Sequence, residues 1–98
     1  MPEYLVEVYV PRNGVAEVRE AAARARASVQ QLSDEGMSVR YVRAIFVPED
    51  ETCFHVFEAS TSEAVHTASA RAAFRAQRIV QSVGLGPSIE IEPERRTE

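Results

Sequence analysis

Residues 39–59 read VRYVRAIFVPEDETCFHVFEA, two alternating runs separated by four residues that cannot continue a strand. In the first run Val39, Tyr41, Arg43, Ile45 and Val47 fall on one side, and Arg40, Val42, Ala44 and Phe46 on the other. That is the period of a strand. Pro48 ends it, and Pro48-Glu49-Asp50-Glu51 is polar and long enough only for a hairpin loop. TCFHVFEA, residues 52–59, is therefore predicted as the antiparallel partner. Counting through the loop sets Val47 opposite Thr52, Ile45 opposite Phe54, Arg43 opposite Val56 and Tyr41 opposite Glu58. Opposed residues share a face of the sheet.

The flanks decide what this hairpin belongs to. Upstream, Tyr4, Val6, Val8 and Val10 alternate with Leu5, Glu7 and Tyr9 as another strand, closed by Pro11 and Asn13-Gly14. Val15, Val18, Ala22, Ala25, Val29 and Leu32 then recur every three or four residues as the apolar stripe of a helix. Glu20 and Arg24 form an exposed pair on that helix, and Gly36 stops it. Downstream, Ser60 and Glu63 stand in the capping-box relation and open a second helix, whose inward stripe is Val65, Ala68, Ala72 and Ala76. Arg78–Val83 is a short β-branched fourth strand, Gly84, Gly86 and Pro87 break the chain, and residues 88–92 alternate as an edge strand before the charged end.

The order strand, helix, strand, strand, helix, strand is the split βαβ unit of the ferredoxin-like α+β sandwich, with two helices on one face of a four-stranded antiparallel sheet. Residues 1–86 form this domain, and 87–98 a tail with the edge strand. The other face of the sheet is left open. With Leu5, Tyr9, Tyr41 and Ile45 on it, the face exposes more apolar surface than a monomer tolerates, and a homodimer joined through it is the simplest remedy.

Composition narrows the function classes. Ninety-eight residues, 45% hydrophobic, suffice for one domain. No run approaches the roughly 20 apolar residues of a membrane span, and the first residues lack the basic region of a signal peptide. A cytoplasmic protein without a membrane partner is expected. The single cysteine excludes an internal disulfide framework and a CxxC-type zinc cluster. A net charge of -4 disfavours nucleic acid as a partner. All eleven basic residues are arginine and alanine is abundant, the mark of a GC-rich, bacterial genome.

Two sets of residues can carry chemistry. The hairpin register brings Arg43 and Glu58 to the open face, where Glu7 joins them. Ions on a face that a dimer desolvates must be paired or bind something. Two carboxylates can hold a divalent cation or share a proton, and arginine can clamp an anionic group. The competing reading is an ion-pair network that only fixes dimer register. The second set, Cys53 and His55 with His66 on the following helix, has the donors of a soft metal site for nickel, copper or zinc. The register turns Cys53 and His55 toward the helices, and a one-residue change in the loop would exchange Glu58 for His55 at the open face. Cys53 has no nearby cation to make it a nucleophile. No glycine-rich phosphate loop or nucleophile-and-base motif occurs.

The runs VRAIFVPEDETCFHVFEASTSEAV and RAAFRAQRIVQSV, with the opening PEYLVEVYVP, resemble a family of small bacterial proteins of formerly unknown function, some of whose members are called nickel-binding proteins. The likeness covers about residues 2–83 and is most specific over 48–58. It implies a ferredoxin-like homodimer that can bind a divalent metal such as nickel; no organic cofactor is expected. The first expectation is thus a small dimeric ligand-binding protein with Glu7, Arg43 and Glu58 at the core of its site. The rival is a cofactor-independent enzyme of the dimeric α+β barrel type, in which one carboxylate acts as base on a small organic molecule and Arg43 with Tyr9 or Tyr41 orients it. A third reading makes the edge strand at 88–92 an interaction module.

Overall fold

A computed structural model describes residues 1–84. Its elements are β1 (Glu3–Tyr9), α1 (Val15–Asp34), β2 (Val39–Val47), a 3-10 turn at Pro48–Asp50, β3 (Thr52–Ala59), α2 (Ser62–Arg71) and β4 (Ala76–Ser82). The four strands form one antiparallel sheet in the order β2-β3-β1-β4, the ferredoxin-like arrangement expected. The edge strand expected at 88–92 and the tail from 87 lie outside the described residues.

The apolar alternation of β1 and β3 explains which face is covered. Tyr4, Val6 and Phe57 point under the helices and pack with Leu32, Ala25, Val65 and Ala68 into the main core. Val10, Val18 and Cys53 form a smaller cluster beside it. Alanines at 25 and 68 keep the side chains between helices and sheet short, and the buried Ser28 hydroxyl donates to the Ala68 carbonyl at 2.8 Å, tying α1 to α2. Gly14, before α1, is a true close approach: an added Cβ would stand 2.6 Å from a Val10 methyl and 2.9 Å from the Pro11 carbonyl oxygen.

The hairpin register holds as read from Val47–Thr52 to Arg43–Val56 and then changes. A bulge leaves Val42 as an extra residue, so Tyr41 pairs with Phe57 and Arg40 with Glu58. Tyr41 therefore turns from the open face to the helix-covered one, and Arg40 takes the place beside Glu58. Counting from the loop cannot reveal this, because no glycine or proline marks the bulge. A second bulge lies in β4, where Gln77 is the extra residue between the Glu7–Arg78 and Val8–Ala76 pairs.

Both helices end in the same hydrogen-bond pattern. After α1, Gly36 N–H donates to the Ser33 carbonyl and Met37 N–H to that of Leu32, with Gly36 at φ 92°. After α2, Ala73 donates to Ala70 and Phe74 to Ser69, but here Ala73 takes the left-handed position, at φ 60°. The second helix thus stops before Ala76, which the apolar stripe had assigned to it and which instead begins β4. Its N-cap is Thr61, whose hydroxyl accepts from the Ala64 N–H at 3.2 Å; the expected Ser60–Glu63 box is shifted by one residue and does not form. Glu20 and Arg24 do not pair either: Arg24 reaches across to α2 and donates from Nε to the Ala72 carbonyl at 2.8 Å.

Candidate functional site

The open face carries Glu7, Arg43 and Glu58, as read from the sequence, but spreads them out. Glu58 and Arg40 form an ion pair at 3.4 Å, with Arg40 largely in solvent. Glu7 stands opposite Phe54 on one side and Arg78 on the other. Glu58 lies four positions beyond Phe54 on β3, roughly 13 Å of strand, so the two carboxylates do not converge on one ion. Tyr9 is on this face and 52% exposed. Tyr41 is not on it, so the arrangement of Tyr41, Arg43 and a carboxylate around one substrate is not assembled.

The bulge at Val42 builds a different constellation on the covered face. Tyr41 and His55 meet through the tyrosine hydroxyl and Nδ1 at 2.8 Å, and the other ring nitrogen, Nε2, lies 3.7 Å from Cys53 Sγ. Cys53 and His55 are two residues apart on one strand, which is why they share a face. Both are buried, His55 to 1% exposure. The imidazole stacks on Phe74 with ring centroids 4.2 Å apart, and Tyr41 packs edge-on against Phe57 at 5.2 Å. The αL turn at Ala73 is what lays Phe74 over His55. Arg26 caps the arrangement, its guanidinium 5.4 Å from the centre of the Tyr41 ring.

Burial sets the protonation of all three groups. The His55 imidazole is held neutral down to about pH 4 by desolvation, with Arg24 adding repulsion. Desolvation raises the Cys53 thiol to about 11. It also raises the Tyr41 phenol to about 12, reinforced by Cys53 and opposed by Arg26. At neutral pH the array is uncharged, and the ring carries one proton: in the tautomer whose Nδ1–H donates to the Tyr41 oxygen, Nε2 is an acceptor or ligand facing sulfur, and in the other the Tyr41 hydroxyl donates to Nδ1 and Nε2–H faces sulfur. His66 sits exposed on α2 and is no part of the array. Among the described residues no three of His, Cys, Asp and Glu gather in one place.

His55 also forms part of the wall of a cavity of about 180 Å³ between β1, the first half of α1 and the turn from α2 to β4. Three separate elements make this space, so no local stretch of sequence signals it. Among the described residues no helix is long and apolar enough to cross a membrane.

Fold and site together define a small ferredoxin-like protein with a buried cysteine–histidine–tyrosine array under its helices. Over residues 4–81 the sequence matches the family described as nickel responsive protein SCO4226-like, and the chain belongs to that family. The crystal structure of SCO4226 from Streptomyces coelicolor A3(2) is similar to it with a TM-score of 0.67 and 19% identity, covering 86% of this chain and 98% of that one. At that identity the likeness concerns the fold. No curated protein matches the sequence significantly.

Proposed function

We propose that the protein is a small homodimeric binding protein that takes a soft divalent ion such as nickel, with Cys53 and His55 as its donors. The observation that carries this reading is the 3.7 Å separation of Sγ and Nε2. Thiolate and imidazole are donor types suited to nickel, copper and zinc. Two such donors of one ion, with bonds of about 2.3 and 2.0 Å, stand roughly 3.6 Å apart, which matches this separation. Tyr41 supplies the outer partner that a ligating histidine uses to fix its ring orientation. Among the described residues two protein donors stand at this place. The family's description as nickel responsive agrees with a metal as the ligand.

The homodimer rests on the open face. Leu5, Phe54 and Val80 are half-buried there, Ile45 is 38% exposed, and among the described residues no helix covers them. A second copy packed on this face would bury them together with the Arg40–Glu58 pair.

Nickel titration by calorimetry tests the metal reading. Wild type is expected to bind, with a thiolate-to-nickel absorption band. Cys53→Ser and His55→Phe should abolish both signals, while Glu58→Ala keeps them. Because the thiol must lose its proton, held up to about 11, affinity should rise with pH. No binding below millimolar nickel, or binding unchanged in Cys53→Ser, would remove the reading. Light scattering on Ile45→Arg tests the dimer, which this change should split.

A further inference from the structure

We propose that the cavity between β1, α1 and the α2–β4 turn binds a small aromatic monocarboxylate, its ring among apolar walls and its anionic group at Arg24 and Arg75. Size comes first. A cavity of about 180 Å³ is comparable with the roughly 150 Å³ apolar cavity that accepts benzene in another protein. One ring with a short substituent fits this volume, and a nucleotide or a lipid chain does not.

The walls set the chemistry. Val8, Val10 and Ala21 close one side, and Phe74, stacked with His55, supplies an aromatic surface on the other. Aromatic walls favour a ring ligand through offset or edge-on packing. The charges are sorted along the cavity. Arg24 and Arg75 both line the cavity at the α2–β4 turn, Arg24 through its bond to the Ala72 carbonyl and Arg75 as the residue after Phe74. Glu17 lies seven residues before Arg24 on α1, two turns or roughly 10 Å away, at the opposite end.

Among the described residues neither arginine pairs with a carboxylate. The Nε bond of Arg24 holds its guanidinium in place while leaving the terminal nitrogens to donate, the geometry in which arginine binds a carboxylate. A hydroxyl on the far side of the ring would reach toward Glu17 and donate to it.

The site does not require the metal, so it is tested on protein treated with chelator, and its failure leaves the nickel titration untouched. Benzoate, 4-hydroxybenzoate and benzyl alcohol are titrated into isotope-labelled protein and followed through backbone amide resonances. Benzoate is expected to shift Val8, Ala21, Phe74 and Arg75, and 4-hydroxybenzoate to bind more tightly. Benzyl alcohol, which lacks the anion, should bind at least tenfold more weakly. Arg75→Gln, a change at an exposed side chain, should weaken benzoate about tenfold, and Ala21→Leu should block the cavity. Shifts confined to the open face, equal binding of benzyl alcohol, indifference to Arg75→Gln, or no shifts at millimolar benzoate would overturn the proposal.

Discussion

On the helix-covered face Tyr41, His55 and Cys53 form a chain of uncharged polar groups, whereas on the open face of the same two strands Arg40 and Glu58 form an ion pair. Both arrangements satisfy polar atoms, by opposite means. Under the helices desolvation makes any charge expensive, so the groups stay neutral and pair by hydrogen bonds. On the open face water screens the ions, and an exposed pair of this kind contributes only about 0.2–1 kcal/mol. The contrast teaches where side-chain identity matters most: on the covered face each atom has one fitting partner, and on the open one water can replace any of them.

The two faces should differ most at the two phenylalanines of β3. Phe57→Ala, on the covered face, should cost about 3–5 kcal/mol in urea denaturation. Phe54→Ala, on the open face and half-buried, should cost the monomer about 1–2 kcal/mol. Equal losses would mean that the two faces are equally covered in solution.

The next effect is in pH. Unfolded His55 takes up a proton near 6.5, while in the folded chain it resists protonation down to about 4. The unfolded state therefore binds more protons in that window, and stability should be level above pH 6.5 and fall by up to about 3 kcal/mol as pH drops to 4. In His55→Phe this part of the slope should vanish, and a slope unchanged by the substitution would place the acid sensitivity elsewhere.

Tyr41→Phe removes the partner of Nδ1 inside the core and should cost about 1–3 kcal/mol, read as a fall in Tm. Ala73→Gly should act in the other direction. Relieving a left-handed alanine is worth about 1 kcal/mol, less the added freedom of the unfolded chain, for a net gain of about 0.5 kcal/mol. A loss instead would show that the alanine methyl packs usefully in the cavity wall. The smallest effect belongs to Glu58→Gln, below about 1 kcal/mol and shrinking further in high salt.

These two faces also differ in how much of them could be read from the sequence. The order of strands and helices was legible and with it the fold, and the hairpin loop at Pro48–Glu51 assigned Cys53, His55, Phe57, Glu7 and Arg43 to their faces. A period-two pattern fails silently where one residue is added, and Val42 is such a residue. It moved Tyr41 onto His55 and Arg40 onto Glu58, so the array under the helices was hidden while its two members on β3 were visible. Thr61 displaced Ser60 as the cap because neighbouring hydroxyls compete for the same role. The cavity needed Arg24 from α1, Val8 from β1 and Phe74 from the α2–β4 turn, a conjunction that only tertiary packing creates.

The paired bulges have one more consequence. Val42 interrupts β2 and Gln77 interrupts β4, and these are the two outer strands of the sheet. Neither border offers a long, flat row of free amides and carbonyls onto which another strand could zip, and arginines at 40, 43 and 78 add repulsion along both. Runaway stacking of copies edge to edge, the first step toward fibrils, is thereby discouraged at both borders of the described sheet.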